Sequence, residues 1–176
     1  MRLPAGFTLL DALVTIAVAT TLAFLGLPWL GDIVLDARRS AGVNDFVHGF
    51  HFARQEAFRS RRDVVICRSS DGRRCAAAGD WGSGWILFLN RDGDEPPVID
   101  AGEEILRVAQ RTPGLRISSN RRYYVLRPWP RRATNGTLVV CDRRGSRTAR
   151  AVVVSYTGRP RVSQRTAGGN SLVCPV

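Results

Sequence analysis

The sequence predicts an α+β protein: one long N-terminal helix, apolar in its first half and amphipathic in its second, packed on an antiparallel β-sheet head. Three observations carry this. From Phe7 to Leu30 the chain is almost wholly apolar, with Asp11 its one charge. Val43, Phe46, Val47, Phe50, Ala53 and Ala57 then recur at three- and four-residue steps, one stripe of a continuing helix. After Arg61 the pattern changes to short β-type runs with turn residues between them.

In chain order, residues 1–6 form a short leader with Arg2 its only charge. Residues 7–30 suit a helix across about 30 Å of hydrocarbon and outlast the about 7–15-residue apolar core of a secretory signal. Pro28 lacks a helical N–H and is expected to bend or loosen the helix. Residues 31–60 continue it amphipathically, with Arg38, Arg39, Asp45, Arg54 and Glu56 off the stripe. The head, 61–176, has strand-like runs at 64–67, 85–89, 115–118, 123–126, 137–141 and 151–156, and a loop at 166–170. No helical segments alternate with these runs, so the sheet is expected to be antiparallel.

Charge is divided unevenly along the chain. Residues 1–104 carry 11 arginines against 14 acids, whereas residues 105–176 carry 15 arginines against Asp142 alone. There is no lysine. A basic half of this kind points to a polyanionic partner. Arg143, Arg144, Arg147 and Arg150 cluster in one loop and the start of the next strand. Arg159 and Arg161 flank Pro160, and on an extended segment residues two apart point the same way. Arg165 follows. Guanidinium forks hold phosphate oxygens bidentately, so these seven arginines are the candidate DNA-binding set. Tyr123, Tyr124 and Trp129 lie among further arginines, but one of two adjacent tyrosines is expected to face the core.

Cys67, Cys75, Cys141 and Cys174 are an even set behind an export-type N-terminus, which points to two disulfides. Of three possible pairings, Cys67–Cys75 and Cys141–Cys174 is favoured: the first closes a short turn and the second pins the chain end. The absence of C-x-x-C speaks against zinc. Asn90, Asp92 and Asp94 are spaced like the start of a calcium loop, but the glycine is misplaced and position twelve is Ala101, so a turn is expected. His48 and His51, three apart on the helix, read as packing or surface residues. No catalytic constellation stands out, and the chain reads as a non-enzyme with no cofactor and no metal.

G-F-T-L-L-D with its apolar run resembles the prepilin signature of type IV pilins and type II secretion pseudopilins. W-G-S-G-W-I-L-F-L-N-R-D-G-D at 81–94 and G-R-P-R at 158–161 are similar to motifs of the FimT/GspH family of minor pilins, and of its FimT type in particular. The resemblance implies that prepilin peptidase cuts after Gly6 and that Phe7 becomes a methylated N-terminus. Asp11 stands where most members have glutamate, and a neighbouring Phe7 amine could be its partner in a filament. The implied function is a minor pilin stored in the inner membrane with its head in the periplasm, then carried on a pilus beside other pilins. Its basic surface would hold DNA, without sequence preference, for uptake in natural transformation and pilus biogenesis. The alternatives are a GspH-like minor pseudopilin of a type II secretion system and a purely structural minor pilin that primes assembly.

Overall fold

A computed structural model of the chain describes residues 8–175, without the side chains of residues 25–29. It divides into two units, Met1–Ala37 and Arg38–Val176. The expectations attached to the 1–6 leader, to Gly6 and Phe7, and to the Pro28 ring lie outside the described residues.

Helix α1 spans Leu9–Ser60. Its start is built by a reciprocal cap. The Asp11 carboxylate accepts from the Thr8 N–H at 3.0 Å and from the Thr8 hydroxyl at 2.8 Å, and the Asp11 N–H donates back to the Thr8 hydroxyl oxygen at 3.3 Å. This is the geometry of a capping box, with aspartate in the acid's place. The one acid of the apolar run therefore has partners within its own chain, a role that its sequence context did not suggest. Leu9, Leu10, Leu13 and Phe24 are exposed in the first unit. Among the described residues, no helix is long and apolar enough to cross a membrane. At the other end, Arg61 takes a left-handed φ of 55°, which stops the helix.

In the second unit the stripe behaves as the spacing dictates. Val43, Phe46, Phe50, Ala53 and Ala57 are buried and Val47 packs against them. Phe46 stacks on Trp85 at 5.2 Å, and Phe50 meets Tyr124 edge-on at 5.0 Å. Two residues read as off the stripe are nevertheless buried. Arg39 reaches Asp142 at 3.2 Å, and Glu56 receives Arg59 at 2.8 Å. Long side chains on the flank of a helix lie along its apolar face when a partner is within reach.

Two four-stranded antiparallel sheets form the head. The strands are β1 Asp63–Arg68, β2 Trp85–Asn90, β3 Ile105–Ala109, β4 Arg116–Ser119, β5 Tyr123–Leu126, β6 Gly136–Cys141, β7 Arg150–Val154 and β8 Pro160–Ser163. The orders are β3-β2-β1-β5 and β4-β6-β7-β8. Alternation along each strand sends one face to the core. Val64, Ile66, Leu87 and Leu126 from the first sheet join Leu138, Val140, Val152 and Val154 from the second in one cluster with the α1 stripe. The opposite faces build two smaller clusters, one around Val65 and Phe88, the other around Cys141 and Val153.

The six expected runs are all strands, within a residue or two at their ends. The two strands without a run of their own, β3 and β8, are edge strands. Both bury little along their length, Ala109 being the one buried residue of β3 and none of β8 being buried, so their sequences lack a continuous apolar signal. Both disulfides form as favoured, Cys67–Cys75 and Cys141–Cys174, with Cα separations of 5.5 and 5.9 Å. Residues 166–170 form a turn closed by Thr166 N–H to the Asn170 carbonyl at 2.9 Å. The Asn90–Asp94 segment is a turn too, with the Gly93 N–H on the Asn90 side-chain oxygen at 2.7 Å. The carboxylates of Asp92, Asp94 and Asp100 gather there, and the exposed Asp100 carboxyl is pushed up by desolvation and then by the charge of Asp92. His48 and His51 are exposed. Of the adjacent tyrosines, Tyr124 is the buried one. Its hydroxyl meets the Ser119 hydroxyl at 2.8 Å, and burial raises its pKa well above the usual phenol range.

Candidate nucleic-acid interface

Three adjacent strands of the second sheet, β6, β7 and β8, organise the basic surface. Strand β7 lies between β6 and β8, and Val153 pairs with Arg161 across β8. Residues directly opposite in a ladder share a face. Arg161 therefore stands on the Val153 side of the sheet, away from the α1 core.

The hairpin that presents Arg159 follows from three residues. The Gly158 N–H donates to the Ser155 carbonyl at 2.9 Å, and the Ser155 N–H donates to the Arg159 carbonyl at 3.1 Å. Gly158 sits at φ +72°. A three-residue loop closed by a left-handed residue is a favoured hairpin connection. Space also requires glycine: a Cβ there would lie 2.7 Å from Leu126 Cδ1. Pro160 then opens β8 on the sheet edge, where its missing N–H costs no ladder bond. From outside the strand pair, Arg54 of α1 donates to the Thr157 carbonyl at 3.2 Å, and the Ala133 N–H donates to the Tyr156 carbonyl at 2.9 Å.

The seven candidate arginines do not form one cluster. Arg159, Arg161 and Arg165 run along β8 and just beyond it, all exposed. Arg159 and Arg161 are about 7 Å apart along the strand, roughly twice the axial spacing of phosphates on one nucleic-acid strand. Arg165 donates to the Gly169 carbonyl at 3.0 Å. Arg143 and Arg147, also exposed, lie in the β6–β7 connection at the other end of β7 from the hairpin. Arg144 and Arg150 are half-buried and turned onto their own loop. Arg144 forks onto Asp142, and Arg150 donates to the carbonyls of Thr148 and Ala149 at 3.2 and 3.0 Å. Their placement makes them supports of the loop rather than parts of its outer face.

Asp142, the lone acid of the C-terminal 72 residues, is withdrawn from the surface. It accepts from Arg144 at 2.7 Å, from Arg39 at 3.2 Å and from the Thr148 hydroxyl at 3.1 Å. Hydrogen bonds from Arg144 outweigh the opposing effect of burial and hold its carboxyl down at about 2. Acids of the N-terminal half neutralise other arginines: Asp45 pairs with Arg107, Asp63 with Arg127 and Arg131, and Glu95 with Arg127. Among the described residues, no carboxylate lies in ion-pair range of Arg143, Arg147, Arg159, Arg161 or Arg165.

Two neighbours of the hairpin were not legible in the sequence. Tyr156 is exposed at the hairpin tip with the Arg132 guanidinium 5.7 Å above its ring. Arg54 lies 103 positions from the carbonyl it holds, so no local spacing could announce it.

Comparison with known proteins agrees with this architecture. No curated protein matches in sequence. Among solved structures, the chain is similar to the type IV minor pilin FimU of Pseudomonas aeruginosa, in two crystal forms. These share 16% and 17% identity with it, cover 74% of this chain and 98% and 92% of FimU, and give TM-scores of 0.52 and 0.53. It is also similar to the minor pseudopilin EpsH from the type 2 secretion system of Vibrio cholerae, at 12% identity over 72% of this chain and 96% of EpsH, with a TM-score of 0.50. At such identities these likenesses speak for the fold. The model of the family described as type II transport protein GspH matches residues 42–158, most of the head with the C-terminal part of α1, and so the chain belongs to the GspH family of minor pilins and pseudopilins.

Proposed function

We propose that this chain is a minor pilin that captures DNA through the phosphate backbone, for uptake in natural transformation. The observation that carries this reading is the exposed pair Arg159 and Arg161 on a glycine-closed hairpin, with no carboxylate of the described residues in ion-pair range, while Asp142 is buried. Several cations on one surface are what phosphate binding requires, and such binding weakens steeply with salt. No base-reading element is needed, so the capture is indifferent to sequence.

Binding of labelled duplexes of unrelated sequence to the full chain in detergent, read by anisotropy between 50 and 200 mM salt, tests it. Wild type is expected to bind both duplexes alike. Arg159→Gln/Arg161→Gln is expected to bind about tenfold more weakly or worse, with a salt slope shallower by about 2. A double variant that binds as wild type does would overturn the reading.

The apolar run of α1 anchors the protein in the inner membrane before assembly and packs with other pilins afterwards. Prepilin peptidase releases it by cutting after Gly6. Gly6→Val is expected to leave the leader attached, and intact-mass spectrometry of the purified chain checks this; loss of residues 1–6 from the variant would refute it.

A second reading is favoured by the description of the matching family and by the likeness to EpsH: a pseudopilin of a type II secretion system, with the same anchor and head. Its partners would be other pseudopilins. Wild-type protein that ignores DNA even at 50 mM salt would remove the capture reading and leave this one beside that of a purely structural minor pilin.

A further inference from the structure

An uncharged cleft lies on the same face of the second sheet as Arg161. Open and about 400 Å³ in volume, it is lined by Ser118, Asn120, Thr137, Val139, Thr166 and Ala167, among others, none of them charged. Thr137 pairs with Val153, and Val153 pairs with Arg161. Directly opposed residues share a face, so Thr137 and Arg161 stand in one row on the side away from the α1 core. Ser118 pairs with Val139 and stands on that side too, because Val139 packs with Cys141 and Val153. Two strand spacings, roughly 10 Å, separate Thr137 from Arg161. A second cation adjoins the cleft in the chain. Exposed Arg165 directly precedes Thr166, and its Nη1 donates to the Gly169 carbonyl of the same turn at 3.0 Å.

The walls hold hydrogen-bonding groups that the fold has not spent. The Asn120 side-chain oxygen accepts from the Thr137 N–H at 2.8 Å, which fixes the amide and leaves its nitrogen as a donor. Among the described residues, that nitrogen and the hydroxyls of Ser118 and Thr137 have no hydrogen-bond partner. The Thr166 hydroxyl accepts from the Asn170 N–H at 3.1 Å and keeps its own proton to donate. Val139 and Ala167 supply apolar surface beside these groups.

This chemistry indicates the occupant. A phosphate is a poor one, because a charge leaving water needs a cation and the lining has none. A planar ring with apolar faces and a polar edge is a good one. Sites that receive an extruded base set apolar side chains against its face and hydrogen bonds against its edge. Thymine presents carbonyl acceptors there, which the Asn120 amide and the hydroxyls match as donors. Only an unpaired, unstacked base has that edge free. The cations that would hold the neighbouring phosphates stand on the same face, at Arg161, and in the cleft's own turn, at Arg165. We propose that the cleft receives one unpaired nucleobase of a strand whose phosphates Arg161 and Arg165 hold, so that single-stranded DNA gains a contact that a duplex does not offer. This rests on the DNA-capture reading above.

Anisotropy with the full chain in detergent, from 50 to 200 mM salt, tests it with three labelled ligands of one length: oligothymidylate, the same strand made abasic, and a duplex. Wild type is expected to bind oligothymidylate about fivefold more tightly than the abasic strand, or better. Ser118→Val should weaken oligothymidylate about fivefold, and Ser118→Val/Asn120→Ala about tenfold or more, as one and then two hydrogen bonds are lost. Affinity for the abasic strand and the duplex, and every salt slope, should stay as in wild type, because no charge changes. The single variant guards against misfolding, because the Ser118 hydroxyl bonds nothing in the fold. If wild type binds both single strands alike, or if both variants bind oligothymidylate as wild type does, the cleft proposal alone is overturned. If Ser118→Val loses the abasic strand as much as oligothymidylate, the cleft holds sugar or backbone and the proposal is again overturned. If wild type binds none of the three, the capture reading fails and the cleft proposal with it.

Discussion

Asp142→Ala is expected to destabilise the Arg38–Val176 unit by about 3–5 kcal/mol, the range for removing one partner of a buried ion pair. The side chain is fully buried, with Arg144 at 2.7 Å and Arg39 at 3.2 Å. Alanine removes the acceptor that both guanidinium groups converge on. The β6–β7 loop, which presents Arg143 and Arg147, would lose the Arg144 and Thr148 contacts that shape it. Asp142→Asn keeps the shape and should cost less. The pH dependence has a definite sign. The folded carboxyl titrates at about 2, below its ordinary 3.8. Its stabilisation is therefore complete above pH ~4 and is lost as pH falls from ~4 toward ~2. Thermal unfolding of the full chain, followed by circular dichroism from pH 6 to pH 2, measures both effects. An alanine variant that melts with wild type at pH 6 would show that the buried carboxylate does not hold the loop.

Gly158→Val is expected to cost about 2–5 kcal/mol, from two sources that add. A left-handed backbone costs an ordinary residue about 1–2 kcal/mol, and a β-branched residue has the least tolerance for it. Overpacking adds about 1–3 kcal/mol, because the new Cβ would lie 2.7 Å from Leu126 Cδ1 and 3.5 Å from Ala133 Cβ. Leu126 is 2% exposed and has no open space to swing into. Gly158→Asn separates the two sources. Asparagine tolerates the left-handed region but still brings a Cβ, so its loss should be the overpacking part alone. Both variants are also expected to weaken DNA binding without removing a charge, since the hairpin that aims Arg159 would shift. Melting and anisotropy on the same samples check this. A valine variant with wild-type melting and wild-type DNA affinity would show that this glycine is dispensable.

Much of the fold was legible because it depends on periodicity. The α1 stripe from Val43 to Ala57 and the six apolar runs each report a face turned to a core, and burial enforces that pattern residue by residue. Strands β3 and β8 escaped because these two bury too little to leave one. The family, too, was readable, from the N-terminal signature and the 81–94 turn. The candidate site was only half legible. G-R-P-R marked the hairpin, since a left-handed turn needs glycine and its neighbours are cations. The loop arginines read as one patch, yet Arg144 and Arg150 face inward.

Composition and spacing alone determined that this chain has a long helix, an antiparallel disulfide-bonded head and an excess of positive charge in its last 72 residues. Which of those charges face outward was decided only by the tertiary structure. Pairings such as Arg39 with Asp142 and Asp63 with Arg131 join residues 103 and 68 positions apart. A carboxylate neutralises the guanidinium that the fold brings within about 4 Å of it, wherever that residue stands in the chain.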